Sequence, residues 1–190
     1  MRKVLIINGN PDSESFCHAL HESYKKGSLK GNNEVREITL SEMKFNSTLM
    51  HGYRKRTEFE PDLLEAWENI KWADHIVCIY PTWWGTLPAL MKGFFDRVFL
   101  PGLAFKYVET SPFPEKLLKG KTSEIISTMD TPVWYYKYIK SDVGGRLLRD
   151  NILNFCGIVN KRTTYLAVMR DSTPEQRKGW LERVEKLGSK

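Results

Sequence analysis

Five short runs of mostly β-branched or apolar residues recur along the chain and predict five β-strands. They lie at 4–7, 35–38, 76–80, 124–127 and 163–168. Between them, apolar positions with helical spacing predict helices at about 14–26, 61–72, 87–99, 142–156 and 173–187. The last helix opens with Thr173 and Pro174, which are typical of a capped helix start. Strands therefore alternate with helices, which predicts a parallel sheet covered by helices on both faces.

The first and third runs, Val4–Ile7 and Ile76–Tyr80, are continuously apolar. Strands of this kind are covered on both faces, so we expect these two in the middle of the sheet. The expected fold class is α/β: a three-layer sandwich with a five-stranded parallel sheet in the order 2-1-3-4-5, forming a single domain over 1–190. Ligands of such sheets bind at the carboxyl ends of the strands where the order reverses. The loops after Ile7 and Tyr80 are therefore the candidate binding loops.

Composition narrows the class of protein. The 190 residues are 41% hydrophobic and 27% charged, with a net charge of +6 from scattered Lys and Arg. We expect a soluble protein without membrane insertion and without a nucleic-acid partner, since no apolar run reaches the roughly 18 residues of a membrane span. Cys17, Cys78 and Cys156 contain no CxxC pair, which favours a reducing cytoplasm and no metal. His18 and His21 alone supply too few ligands for a metal site.

The loop after the first strand, N-G-N-P-D-S-E-S, is rich in small polar residues. It is neither GxxxxGK[ST] nor GxGxxG. It leads, however, into a predicted helix, whose unpaired N–H groups and positive dipole end can hold a phosphate. Ser13, Ser15 and the backbone N–H groups of Phe16 and Cys17 are the candidate donors. The alternative is that Ser13 only caps the helix and Asp12 only closes a turn.

A second loop carries two adjacent tryptophans. Pro81 has no N–H group and ends the third strand, so Trp83 and Trp84 fall in a loop at the same sheet end as the first loop. Trp84 offers a face on which a flat ring can stack, and Gly85 permits close approach of the backbone. The backbone of Thr82 and Trp83 offers polar groups for the edge of that ring. The alternative is that both tryptophans pack against a neighbouring loop or a partner subunit.

The stretch P-T-W-W-G-T-L-P-A-L-M-K-G-F-F-D-R-V-F closely resembles the flavodoxin-like NAD(P)H:quinone oxidoreductase family. The similarity extends to N-P-D-S-E-S-F-C in the first loop and to L-P-G-L-A-F-K-Y at 100–107. The resemblance implies a flavodoxin-like fold in which the first loop surrounds the flavin phosphates and the second lines the isoalloxazine ring. By position, the phosphate residues would be Asn10, Glu14, Ser15, Phe16 and Cys17, and the ring residues would be Pro81, Thr82, Trp83 and Trp84.

In this family, a Thr-Thr-Gly-Gly turn after the fourth strand meets the pyrimidine edge of the flavin, and a catalytic tyrosine and a histidine follow. This chain has Thr128, Met129, Asp130 and Thr131 in that turn. Without the glycines, the turn must take another shape or use the side chains of Asp130 and Thr131. Tyr136 has the spacing of the catalytic tyrosine, whereas Asp142 stands where the histidine is expected, so a tyrosine–histidine proton relay is not implied. The candidate catalytic residues are Tyr136, Trp84 and Asp130.

The resemblance further implies hydride transfer from NAD(P)H through the flavin to a quinone-like acceptor, with ping-pong kinetics. FAD is preferred over FMN because segment 41–60 resembles the longer quinone reductases, which carry FAD. A homodimer is also implied, and the aromatic patch Trp134, Tyr135, Tyr136 and Tyr138 is expected at its interface. Two other functions stay open: a flavodoxin-type electron carrier, and a redox-sensing accessory subunit of an ion-transport protein.

Overall fold

The computed structural model describes every residue from Met1 to Lys190. Five parallel strands form its central sheet, in the order β2-β1-β3-β6-β7. They are β1 (Lys3–Asn8), β2 (Glu34–Thr39), β3 (His75–Pro81), β6 (Thr122–Met129) and β7 (Val159–Ala167). Taken in chain order, these five strands have the predicted order 2-1-3-4-5. The predicted fold class is therefore confirmed.

Helices cover both faces of this sheet. They are α1 (Phe16–Lys30), α2 (Pro61–Trp72), α3 (Ala89–Val98), α4 (Val143–Arg146), α5 (Asn154–Cys156) and α6 (Pro174–Gly188). Two further segments, Tyr135–Ile139 and Leu147–Leu153, have the wider turns of a π-helix. The second of these joins α4 to α5, so 143–156 is one helical stretch, close to the predicted 142–156. The turn at Tyr135–Ile139 was not predicted.

The strands at the centre of the sheet are buried on both faces. In β1, Leu5 and Ile7 belong to a core of 26 buried residues, to which α2, α3 and the 143–156 stretch contribute. The alternate residues Val4 and Ile6 belong to a second core of 11 buried residues, which includes side chains from α1 and α6. Successive side chains of a strand point to opposite faces, so a strand between two helical layers must be apolar throughout.

Several boundaries differ from the predictions, and one pair of strands was not predicted. β7 starts at Val159, before the predicted Thr163. The sequence missed this start because most of the first residues of the strand are polar, as an edge strand of the sheet permits. α1 starts at Phe16, two residues later than predicted. A small antiparallel hairpin, β4 (Phe105–Lys106) with β5 (Glu115–Lys116), was missed because two-residue strands have no periodic pattern.

Segment 41–60 contains no helix or strand, yet it is firmly attached to α3. Arg97, which is 1% exposed, donates to both carboxylate oxygens of Glu60, at 2.6 and 3.2 Å, and to the backbone carbonyls of Asn46 and Glu58. This guanidinium lowers the pKa of Glu60 to about 2. A buried arginine therefore holds the long connection in place.

The three cysteines are free and buried, and Cys78 lies in the larger core. Burial raises the pKa of the Cys17 thiol, and it raises the pKa of both Cys78 and Cys156 to about 12. None of the helices combines the length and the hydrophobicity needed to span a bilayer.

Candidate functional site

Three loops meet at the carboxyl ends of β1, β3 and β6: the first loop (9–15), the tryptophan loop (82–87) and the β6 loop (130–134). Gly9 N donates to Ile79 O at 2.8 Å, which joins the first loop to β3. Thr82 N donates to Thr128 O at 2.7 Å, and Cys17 Sγ lies 3.6 Å from Thr128 Oγ1. The sheet therefore brings together the loops that the sequence predicted as the site.

The first loop is shaped by three successive Asx turns. The side-chain oxygens of Asn8, Asn10 and Asp12 each accept the backbone N–H two residues ahead, at 2.9–3.1 Å. Asp12 thus closes a turn, as the alternative interpretation predicted. Asn and Asp at alternate positions are a signal for such turns, so this conformation could have been inferred from the sequence.

The start of α1 has the features of an anion site. Ser15 is the N-cap, but its Oγ makes no capping bond and is buried without a hydrogen-bond partner. The backbone N–H groups of Phe16 and Cys17 belong to the first turn, where N–H groups have no intrahelical acceptor. A buried hydroxyl without a partner is unfavourable unless a ligand supplies the acceptor. These donors, together with the helix dipole, fit a phosphate.

The other predicted phosphate residues are placed differently. Asn10 is buried, and its oxygen is used inside the loop, whereas Ser13 and Glu14 are exposed. Ser13 does not cap the helix, so this part of the alternative was wrong. The ring of Phe16 lies 6.1 Å from that of Trp180 on α6, which packs the start of α1 against the last helix.

The tryptophan loop is a tight hairpin. Trp83 N donates to Thr86 O at 2.9 Å, and Thr86 N donates to Trp83 O at 3.0 Å. The two residues between them, Trp84 and Gly85, have φ values of 51° and 81°. Positive φ at both central residues is typical of the turns that connect paired strands, where Asn-Gly is common and a bulky residue is strained. Strain of this kind is a recurrent feature of functional sites.

The two tryptophans have different exposures. Trp84 is fully exposed, at 103% of its reference area, and Trp83 is 48% exposed. The indole of Trp84 therefore presents both its faces to solvent, as a stacking surface requires. The expectation for the backbone is only partly met, because the N–H groups of Thr82 and Trp83 already donate to Thr128 and Thr86. Pro81 is buried as the last residue of β3.

The β6 loop uses its acidic side chain internally. Thr128 and Met129 are buried at the end of β6, and Thr131 is half-buried. The carboxylate of Asp130 accepts the backbone N–H of Arg170 at 2.7 Å and lies 3.5 Å from the guanidinium of the same residue. Asp130 thus ties the β6 loop to the chain that follows β7, and its catalytic assignment stays a prediction.

Tyr136 is buried, with 2% exposure, so it does not belong to the exposed aromatic patch in which the sequence placed it. Its hydroxyl donates to Gly85 O at 2.8 Å and accepts from Gly144 N at 2.9 Å. Burial raises the pKa of this hydroxyl. Tyr136 therefore fastens the tryptophan loop to the start of α4, while its catalytic role stays a prediction.

Asp142, which stands where the resemblance placed a histidine, is half-buried, and both of its carboxylate oxygens accept hydrogen bonds. One oxygen accepts a short hydrogen bond from the hydroxyl of Tyr165, and the other accepts from Arg149 at 3.0 Å. Burial, followed by this carboxylate, raises the pKa of Tyr165. Neither Tyr165 nor Arg149 was singled out in the sequence, because no local pattern marks a contact between distant residues.

Two further features lie outside the three loops. Ligand atoms of His21, Glu22 and Glu37 lie within 4.8 Å of one another, but Glu37 is already paired with His21 at 2.6 Å and with Lys25 at 2.8 Å. A cleft of about 300 Å³ between α3 and the 147–156 stretch is lined mainly by aromatic and aliphatic side chains. It contains none of the predicted site residues.

The fold agrees with a known family. The family model described as Flavodoxin-like fold matches residues 2–187, nearly the whole chain. The chain belongs to this flavodoxin-like family.

Individual proteins of known sequence or structure are also similar to this chain. An uncharacterised NAD(P)H oxidoreductase of Haemophilus influenzae is 32% identical over 161 residues, which are 82% of this chain and 79% of that protein. FMN-dependent NADH:quinone oxidoreductase 3 of Bacillus anthracis is 27% identical over 190 residues, 88% of this chain and 87% of that protein. The solved structure of Smu.1420 from Streptococcus mutans matches with a TM-score of 0.85 at 26% identity and covers 98% of both chains. Two of these three relatives are named as oxidoreductases.

Proposed function

We propose that this chain is a flavin-dependent oxidoreductase that transfers a hydride from NAD(P)H to a quinone-like acceptor. The tryptophan loop is the observation that carries the proposal. Trp84 is fully exposed and held at a positive φ. It lies at the carboxyl ends of the strands, as does the start of α1, where hydrogen-bond donors have no partner. An open aromatic face and an anion site together match a ligand with a flat ring and a phosphate.

The phosphate would be held at the start of α1. Ser15 Oγ and the N–H groups of Phe16 and Cys17 supply hydrogen bonds, and the helix dipole favours the negative charge. The Asx turns fix the loop in advance, so little conformational entropy is lost on binding.

The ring would stack against Trp84. A bound flavin would supply the hydride chemistry between a nicotinamide and an aromatic acceptor. The protein would align the two rings and exclude water from between them, and Trp83 and Trp84 supply large flat side chains for this purpose. If NAD(P)H and the acceptor occupy the same site in turn, the kinetics are ping-pong.

The proposal includes a homodimer and a cytoplasmic location. Trp134, Tyr138 and Ile139 are 61%, 80% and 59% exposed, and an apolar patch of this kind fits the interface of a homodimer. The three reduced, buried cysteines fit a cytoplasmic location. The cofactor is FMN or FAD. The relative from B. anthracis is named as FMN-dependent, whereas the sequence of segment 41–60 favours FAD.

The test is a visible spectrum of the purified protein, followed by mass identification of the released chromophore. We expect flavin absorption, anaerobic bleaching by NADH or NADPH, and recovery of the colour when a quinone is added. Parallel lines in double-reciprocal plots would support ping-pong kinetics. A protein that is colourless and takes up neither FMN nor FAD at micromolar concentration contradicts the proposal.

Turnover assays, together with a redox titration and a search for co-purifying proteins, separate the two other functions. An electron carrier would bind flavin but oxidise NAD(P)H negligibly, and its flavin would be reduced in two resolved one-electron steps. An accessory subunit would co-purify with a membrane protein and show no turnover with quinones.

A further inference from the structure

We propose that Asp142 and Tyr165 are positioning residues that hold the tryptophan loop in place through Tyr136 and Gly144. The catalytic meaning of this inference rests on the proposed function, because the loop would form the wall of the flavin site. The contacts themselves require no ligand.

Asp142 is the fixed point of the arrangement. It stands immediately before α4 with a φ of 51°, a conformation that residues other than glycine rarely adopt. Its two carboxylate oxygens accept hydrogen bonds from Tyr165 on β7 and from Arg149 on the same helical stretch. A carboxylate held from two sides by a strand and a helix fixes the backbone in this unusual conformation.

Tyr136 is held at three points, by Asp142 and by residues that Asp142 contacts or that lie close to it in the chain. Asp142 N donates to Tyr136 O at 3.0 Å. The ring of Tyr165 packs edge-on against the ring of Tyr136, with centroids 5.5 Å apart. The hydroxyl of Tyr136 accepts from Gly144 N, two residues after Asp142, and donates to Gly85 O. The backbone, ring and hydroxyl of Tyr136 are thus all held by one group of contacts.

Two glycines make this packing possible. A Cβ atom on Gly144 would lie 2.6 Å from Gly85 O and 2.7 Å from the hydroxyl of Tyr136. A Cβ atom on Gly145 would overlap both the hydroxyl of Tyr165 and the carboxylate of Asp142. Only glycine therefore lets the start of α4 fit between the tryptophan loop and the Tyr165–Asp142 pair.

The anchored atom, Gly85 O, belongs to the residue that follows Trp84. The side chain of Trp84 is fully exposed and has no packing of its own to hold it at a positive φ. The tether from Tyr136 to Gly85 therefore adds a third hydrogen bond to the two between Trp83 and Thr86 that hold the backbone of this turn. If Asp142 or Tyr165 loses its hydrogen bond, the strained turn that carries the indole is held less tightly.

Tyr165→Phe tests this inference, because it removes one hydroxyl and keeps the ring that packs on Tyr136. Tyr24→Phe is the matched control: Tyr24 also donates to a carboxylate, that of Glu124 at 3.3 Å, but at the opposite end of the sheet. Asp142→Asn and Asp150→Asn form a second pair, since both acids contact Arg149 and only Asp142 contacts Tyr165.

The first readout is the fluorine spectrum of protein labelled with 5-fluorotryptophan and free of flavin, with the Trp84 signal assigned by Trp84→Phe. We expect this signal to shift or broaden in Tyr165→Phe and Asp142→Asn and to stay unchanged in both controls. A purely structural role would lower the melting temperature of Tyr165→Phe and Tyr24→Phe alike and leave the Trp84 signal unchanged. That outcome overturns the inference.

The second readout is the dissociation constant of FMN. We expect an increase of about fivefold in Tyr165→Phe and less than twofold in Tyr24→Phe, the size of a partly transmitted hydrogen bond. If the unaltered protein binds no flavin, the proposed function fails, while the Trp84 signal still decides the inference. If the unaltered protein binds FMN and both tyrosine variants bind it equally well, the inference fails alone.

Discussion

At the amino end of the sheet, His75 contacts both Tyr24 and Thr122, whereas at the carboxyl end the side chains of Trp84 and Ser15 have no partner. His75 Nδ1 lies 2.8 Å from Thr122 Oγ1, and His75 Nε2 lies 3.4 Å from the hydroxyl of Tyr24. Trp84 is fully exposed, and Ser15 Oγ is buried without a hydrogen bond. One sheet thus carries a closed polar network at one end and an open set of binding groups at the other.

The difference shows where each kind of contribution is made. A buried polar group with a partner stabilises the fold, while the same group without a partner is unfavourable until a ligand arrives. Substitutions of Tyr24, His75 or Thr122 should therefore change stability and leave ligand binding intact, and substitutions of Trp84 or Ser15 should do the reverse. Three experiments address this contrast, in order of decreasing effect.

The largest effect is expected at His75. Burial lowers the pKa of His75 to about 3, from 6.5 for the free side chain. Between these two pH values the unfolded chain binds a proton that the native protein does not, so the free energy of unfolding falls as the pH falls. The loss attributable to His75 should reach roughly 2 kcal/mol at pH 5.

Urea unfolding of the protein and of His75→Asn, at pH 7 and pH 5, measures this loss. The variant has no imidazole to protonate, so its stability should depend less on pH by that amount. The interval above pH 5 avoids most carboxylate titration, including that of Glu60, whose pKa is about 2. Identical pH dependence of the two proteins would show that the buried histidine is not the cause.

The next effect is expected at Trp84. Trp84→Ala removes the stacking face and should weaken FMN binding by about tenfold, the equivalent of roughly 1.4 kcal/mol. Because the side chain is fully exposed, the melting temperature should stay within about a degree. Phe113→Ala is the control, since Phe113 is also largely exposed, at 78%, and lies outside the three loops.

Fluorescence titration of each apoprotein with FMN gives the two dissociation constants. Unchanged affinity in Trp84→Ala would remove this residue from the site. A large loss of stability in the same variant would show that the exposed indole contributes to the fold after all.

The smallest effect is expected at Ser15. Ser15→Ala should raise the dissociation constant of FMN about threefold, as expected for one neutral hydrogen bond. Ser28→Ala is the matched control, because Ser28 Oγ is also buried without a partner but lies at the other end of α1. Each substitution removes an unpartnered hydroxyl, so neither should destabilise the protein. Equal affinity in both variants would mean that the Ser15 hydroxyl does not face the ligand.

The sequence predicted the fold where its signals are local. Continuous apolar runs identified β1 and β3, and Thr173 with Pro174 indicated the start of α6. In the structure, Thr173 and Gln176 make both reciprocal hydrogen bonds of a capping box there. The start of β7 was missed because exposed polar residues of an edge strand look like loop residues. Boundaries that depend on tertiary pairing lack such a signal.

The site divides in the same way. The tryptophan loop and the first loop could be predicted, because parallel strands always bring their carboxyl ends together. The contacts of Asp130 with Arg170 and of Asp142 with Tyr165 join residues 40 and 23 positions apart, and no pattern in either segment indicates the other. The same holds for the hydroxyl of Tyr136, whose partners are backbone groups of two glycines.

The buried cysteines have a consequence for the resistance of the protein to oxidation. With a pKa of about 12, only roughly one in 10⁵ of the thiols at Cys78 and Cys156 is ionised at neutral pH. The thiolate is the form that peroxide attacks, so these sulfur atoms should resist sulfenic acid formation. In a protein whose bound flavin is reduced and reoxidised, these two cysteines would thus stay in the thiol form.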